Sequence, residues 1–233
     1  MALASKRIPN LHRFFLDHHL YPLVLSSALA VGILAVRIYI SRQTTFGFLL
    51  WNLLLAWIPF LCALWIVSFQ KKFPRQWLML LLPGFLWLIF LPNAPYIVTD
   101  LFHLDDRPGV PMWYDIGMLA TFAWTGCFLG LTSLRIMQAV VQKYFGWIVG
   151  WSFVLASIGL SGIGIYLGRF LQWNSWDLFV RPQLVIADIV ARFAHPLRYP
   201  QAFGVAILFA AFMLVGYLTL ASLERRQPIA EGG

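Results

Sequence analysis

The chain has 233 residues, of which 61% are hydrophobic, 17% aromatic and only 11% charged, with a formal net charge of +8. Mean hydropathy is +0.76. A soluble domain carries about 25% charged residues, so this chain cannot cover a globular surface in water, and soluble, fibrous and disordered classes are excluded. What is left is an all-α polytopic transmembrane helix bundle, expected as a single transmembrane domain over 1–233.

In chain order, Lys6, Arg7 and Arg13 precede the first apolar run. That run is too long for the core of a signal peptide, and further spans follow, so it reads as an uncleaved first helix. Six stretches approach the length of about 20 residues that a helix needs to cross hydrocarbon. They are Leu20–Ile40, Phe46–Phe69, Gln76–Leu91, Met112–Met137, Phe145–Phe170 and Tyr199–Leu223. The third is apolar only to Leu91 and runs on into a segment broken by Pro92 and Pro95. Between the fifth and sixth, Pro182–Ala194 reads as a short helix with proline in its first turn and Pro196 as its stop. Leu184, Val185, Ile189, Val190 and Phe193 can share its apolar side, opposite Arg181, Asp188, Arg192 and His195. It is too short and too charged to span, and is expected to lie in the interface.

Six spans put both termini on one side. With that side cytoplasmic, ten Lys and Arg fall inside, among them Lys6, Arg7, Arg13, Lys71, Lys72 and Arg75. Seven fall outside, including Arg37, Arg42 and Arg169. The positive-inside rule therefore favours cytoplasmic termini. The net positive charge fits this topology and contact with anionic lipid. Nucleic acid is excluded as a partner, because no loop is large enough to form a wet basic domain.

Cys62 and Cys127 both sit in apolar runs and read as small packing residues. The pairs Gly126–Gly130, Gly146–Gly150 and Gly164–Gly168 have the four-residue spacing of close helix contacts, which marks the fourth and fifth spans as the packed centre. Trp77, Trp113, Trp147 and Trp151 lie near span ends, as an aromatic belt requires.

Three segments stand out at the outer face. The first is Leu91–Leu104, whose broken backbone must be buried in protein or line a wet cavity, with Asn93 able to bond the freed groups. The second is Trp113-Tyr114-Asp115, and the third is Gly164–Asp177. They bring Asn93, Asp100, His103, Asp115, Tyr166, Arg169, Asn174 and Asp177 to one level. Ionisable groups near apolar surroundings are costly and so mark candidate sites. His103 with Asp100 would form an acid–base unit, and Arg169 an anion binder. The same residues also read as a clamp, with Arg169 neutralising Asp115 or Asp100.

The runs Pro92–Leu104 and Gly164–Asp177 closely resemble a family of bacterial integral membrane proteins known as domain of unknown function 1361. The resemblance covers most of the chain and implies a multi-pass protein of the bacterial plasma membrane. It implies no activity.

Several chemistries are excluded on residues. Gly159-Leu160-Ser161-Gly162 matches the rhomboid protease tetrapeptide, but no span carries the histidine that would take the serine's proton. Tyr114-Asp115 lacks the second mid-span aspartate of an intramembrane aspartyl protease. There are no mid-span histidines for haem, no mid-span lysine for retinal and no phosphate loop. No cofactor is expected. A divalent metal at Asp100 and His103, completed by Asp105, Asp106, Asp115 or Asp177, has suitable donor chemistry, but an Asp-x-x-His spacing is too common to establish one. Three functions stay open, of which the first is the expected one and the other two are its alternatives. A non-catalytic accessory or assembly subunit would have a structural polar cluster and a Trp-rich outer face docking a membrane-protein partner. An enzyme would act on a lipid or lipid-linked substrate at the outer interface. A small transporter or permease would use the broken third span as its pathway.

Overall fold

The computed structural model describes residues 16, 18–73, 76–104, 109–195 and 197–225. Asp105, Asp106, Pro196 and the basic N-terminal residues Lys6, Arg7 and Arg13 lie outside them. The described residues are helical, with no strand. The elements are α1 (Leu20–Ser41), α2 (Phe48–Lys72), α3 (Leu81–Phe90), α4 (Met112–Phe145), α5 (Trp147–Leu171), α6 (Pro182–Ala194) and α7 (Pro200–Arg225). Short helical turns cover Trp77–Leu80, Asn93–Tyr96, Ile97–His103 and Asp177–Val180.

Among the described residues six helical stretches are long and apolar enough to cross a membrane, and the chain is an integral membrane protein. The third of these is Leu78–His103, so this span does not stop at Leu91 but carries its broken backbone through to His103. Two prolines tighten the helix without ending it, because the residues after each continue with three-residue bonds, such as Ala94 N–H to the Leu91 carbonyl at 3.2 Å.

α4 runs to Phe145 rather than Met137, and its 34 residues measure about 51 Å. That exceeds a hydrocarbon core of about 30 Å, so α4 is longer than a straight crossing needs. α4 is the axle of the bundle: 61% of its most apolar window is buried inside the protein, against 17% for the last span. It packs on α1, α2, α5 and the broken third span, while α7 packs mainly on α5. α2, at 44% buried, joins the fourth span and α5, at 39%, in the packed centre.

The glycines explain how the broken segment is held. A Cβ on Gly126 would lie 2.4 Å from the Ala94 carbonyl oxygen, and one on Gly130 3.0 Å from the Ala94 Cβ. From the other side, a Cβ on Gly164 would lie 2.7 Å from Pro92 Cγ. α4 and α5 thus grip Pro92–Ile97 between two small-residue faces. Gly146 is different: at φ +87° it turns the chain between α4 and α5, and it does not pack as one of a pair with Gly150.

α6 has the expected bounds but not the expected faces. Val185 is buried and Ile189 packs beside Tyr166 and Leu167, whereas Leu184 and Val190 are exposed. Asp188 points back to the protein, accepting a hydrogen bond from Trp173 Nε1 at 2.8 Å and pairing with Arg192 Nη1 at 2.8 Å. The helix is therefore pinned to α5 by its polar side as well as its apolar one.

Candidate functional site

The site lies at the end of the bundle that carries His103 and Leu171. The Ile97–His103 turn directs Asp100 inward, where it is buried with 1% exposure. Asn52 of α2 donates from Nδ2 to Asp100 Oδ2 at 2.8 Å. One turn on, His103 keeps 41% of its side chain exposed, with Nδ1 at 4.0 Å from Asp100 Oδ1. Its ring packs on Phe48 at 5.0 Å between centroids. Arg169, from the last turn of α5, brings Nη1 to 3.5 Å from the same Nδ1 and stacks its guanidinium over Phe102 at 5.3 Å.

This arrangement poses a choice for the histidine. A guanidinium only donates, so its hydrogen bond requires Nδ1 to be unprotonated. The Asp100 carboxyl faces the same nitrogen at 4.0 Å. A proton on Nδ1 is incompatible with the Arg169 contact. The trio supplies an exposed imidazole, a buried carboxylate behind it and a cation beside it. That is chemistry suited to moving a proton or holding an anionic group.

The other expected members fall elsewhere. Asp115 does not meet Arg169. Its two oxygens take Arg37 Nε at 2.7 Å and Nη2 at 3.1 Å, with both residues buried. Arg37 also donates to Ser41 Oγ at 3.3 Å and lies 4.5 Å over the Phe46 ring. Arg37 thus locks the C-terminal part of α1 to α4 rather than serving as a loop charge, and it takes the place of Arg169 as the partner of Asp115. Sequence reasoning passed over it because it stands near a span end. Its place within helical reach of the apolar Val36 and Ile38 was the available signal.

Tyr166 faces α6, stacks on Phe170 at 5.4 Å and neighbours Arg192, so it is not part of the trio. Asn174 and Asp177 bond each other across an exposed turn, the Asn174 backbone N–H donating to Asp177 Oδ2 at 2.8 Å. Asn93 does satisfy freed backbone: its Nδ2 donates to the Phe90 carbonyl at 3.1 Å and to Ser175 Oγ at 2.8 Å. Ser175 in turn donates to the Ile89 carbonyl at 3.2 Å. Ser161 Oγ is buried without a hydrogen-bond partner among the described residues, so no histidine stands ready to take its proton. Among the described residues no three His, Cys, Asp or Glu side chains group as a metal site.

What the sequence did not foreshadow is the space beside the trio. A cavity of about 310 Å³ opens between α2, α3, α5 and α6. Its walls are mostly apolar, including Leu55, Leu88, Pro92, Leu160, Ile163 and Leu167. Its polar lining comes from Asn52, Asn93, Tyr96, Asn174 and Ser175. Asn52 belongs both to the cavity wall and to the Asp100 contact, and so joins the two. Trp51 and Trp176 meet edge-on at 6.2 Å at its rim.

No curated protein and no solved structure matches this chain. A family model does match, that of the protein of unknown function DUF1361, over residues 51–215. The match takes in α2 through most of α7, including the gripped proline segment, the Asp100–His103–Arg169 trio and the cavity, and on that extent the chain belongs to the DUF1361 family of proteins of unknown function.

Proposed function

We propose that this protein binds a lipid or lipid-linked molecule, seating its hydrocarbon in the cavity and its polar head at Asp100, His103 and Arg169. The observation that carries this reading is the cavity itself, mostly apolar, with Asn52 shared between its wall and the contact to Asp100. Ligand sites combine mostly apolar walls with a few placed polar groups. The rim residues Trp51, Phe85 and Trp176 are exposed on the side of the bundle, where a bilayer molecule would enter. On the topology favoured by the basic segments, this is the extracytoplasmic leaflet of the plasma membrane.

Among the three functions open to such a chain, a lipid-directed enzyme fits this geometry best, with His103 as the accessible acid–base group. Asp100, being buried, acts through it as a positioning residue. An accessory subunit would use its aromatic face for docking, but Trp51, Trp173 and Trp176 are engaged in forming the cavity. A permease would need a path through the other half of the bundle. There Trp87, Leu91, Leu134, Val154, Ile158 and Met213 pack as one buried cluster.

The test is to purify the full chain in a mild maltoside detergent and identify co-purifying lipids by mass spectrometry. Leu160→Trp narrows the cavity from a half-exposed wall position and should strip the bound lipid. His103→Ala should retain it. Equal lipid content in the wild type and Leu160→Trp would end the proposal.

A further inference from the structure

The polar side chains lining the cavity between α2, α3, α5 and α6 are amides, hydroxyls and indoles, and the bonds they already make determine which of their atoms remain for an occupant. Asn93 Nδ2 donates to the Phe90 carbonyl at 3.1 Å and to Ser175 Oγ at 2.8 Å. A carbonyl can only accept, so this amide cannot be flipped; both its N–H groups are spent and its Oδ1 is left as an acceptor. Asn52 gives one N–H to Asp100 at 2.8 Å and keeps its Oδ1 and its other N–H. The Tyr96 hydroxyl and the indole N–H groups of Trp51 and Trp176 make no hydrogen bond among the described residues.

What these five residues have left is mixed. The oxygens of Asn52 and Asn93 accept, N–H groups of Asn52, Trp51 and Trp176 donate, and the Tyr96 hydroxyl does both. A phosphate only accepts and an ammonium only donates, so either would leave part of this set unmet, at a cost in an apolar wall. A cluster of hydroxyls, each a donor and an acceptor, meets both kinds. The aromatic members add a shape requirement. Trp51 and Trp176 meet edge-on at 6.2 Å at the rim, and Trp173, whose N–H is spent on Asp188, has only its ring to offer. An indole face is negative and attracts polarised C–H bonds. A sugar ring combines the two properties, with hydroxyls around its edge and C–H bonds on its faces.

We propose that the head bound here is a saccharide, and that the ligand is a glycolipid or a lipid-linked sugar. Its hydroxyls bond Asn52, Asn93 and Tyr96, while a C–H face of the ring lies on Trp51 or Trp176. This rests on the lipid reading above and names the class of head. At about 310 Å³ the cavity is at the lower end of ligand pockets, which span about 300–1,000 Å³, so it takes one ring and the start of a chain. Asn52 sets that ring beside Asp100, and so beside His103 and Arg169.

The experiment uses the full chain in a polyoxyethylene detergent, whose head carries no sugar. Isothermal titration, against a blank of empty micelles, compares probes that share a hexyl chain: hexyl β-glucoside, hexyl tri(ethylene glycol), hexylphosphocholine and hexyltrimethylammonium. The glucoside should bind about tenfold more tightly than the other three. Tyr96→Phe removes the hydroxyl and keeps the ring that Gly168 packs on. It should weaken the glucoside about tenfold and leave hexyl tri(ethylene glycol) unchanged. Trp51→Leu, at an exposed rim position, should weaken the glucoside as well. A loss in either variant places the sugar on this wall. If all four probes bind alike, the cavity takes the chain alone: the saccharide inference is overturned and the lipid reading stands. Tightest binding of the phosphocholine or the ammonium overturns it too, as does wild-type affinity for the glucoside in both variants. If no probe binds, the lipid reading falls with it.

Discussion

Arg37 and Asp115 form a two-pronged ion pair between the first and fourth spans, with contacts of 2.7 and 3.1 Å and both side chains shut away from solvent. The planar guanidinium matches the carboxylate fork in a way lysine cannot. Phe46 covers the other face of the guanidinium at 4.5 Å. Removing one partner leaves a bare charge in a low-dielectric setting, which costs about 3–5 kcal/mol. Asp115→Ala is therefore expected to lower unfolding stability in detergent by about that much, and Arg37→Lys by a smaller but clear amount. The double change Arg37→Met with Asp115→Leu should restore most of the loss. A single Asp115→Ala chain that unfolds with the wild type would show that the pair holds nothing.

The glycine grip on the broken third span makes a sharp contrast within one helix. Gly126→Ala would set a methyl against the Ala94 carbonyl oxygen at 2.4 Å, a backbone atom that cannot swing aside. Overpacking of this kind costs about 1–3 kcal/mol. Gly117→Ala, on the same helix, meets nothing within 4 Å. It should gain up to about 1 kcal/mol from helix propensity. Thermal melting of the two variants side by side checks the difference in sign.

Asn93 and Ser175 replace the helical bonds interrupted at the prolines. Asn93→Leu leaves the Phe90 carbonyl without its side-chain donor, and Ser175→Ala does the same for Ile89. An unsatisfied buried polar group costs about 1–3 kcal/mol. Each variant should destabilise by about that amount. The double variant should lose less than the sum, because Asn93 and Ser175 also bond each other. Strict additivity would show that the two act independently.

The anchoring of α6 should depend on pH. The Trp173 indole N–H, and after it Arg192, hold the Asp188 carboxyl below its ordinary value, against a smaller opposing effect of burial. A carboxyl depressed in the folded state adds stability above its unfolded pKa of about 3.9. That stability is lost as pH falls through the lower folded value. Trp173 fluorescence should stay constant from neutral pH to about 5 and then change on further acidification. Asp188→Asn should abolish that transition. A transition unchanged in Asp188→Asn would assign it to another group.

Sidedness is the remaining expectation. A single cysteine at Gln172 or Asn174, in a cysteine-free background, should react with an impermeant thiol reagent in intact cells. One at Lys71 should react only after the membrane is opened. The reverse pattern would move the His103 trio to the cytoplasmic face.

The sequence by itself determined the class of protein, the six spans, the break at Pro92 and Pro95, and α6 to its very ends. These features depend on local quantities. Transfer of a run of side chains into hydrocarbon adds up along the chain, and a proline removes its own N–H wherever it sits. The proximity of Asp100 to His103 was also legible, since three residues make about one helical turn.

Only the tertiary structure decided who meets whom across spans. Each residue turns the helix face by about 100°, and nothing local says which face of α1 looks at α4. Arg37 therefore read as a loop charge and proved to be the partner of Asp115. Asn52 carried no signal at all, yet it links the cavity to Asp100. Tyr166, placed at the right depth, points to α6 instead of the trio. The cavity is still less legible. A void is what remains after several helices have packed, and its lining is drawn from residues more than a hundred positions apart, such as Asn52 and Ser175.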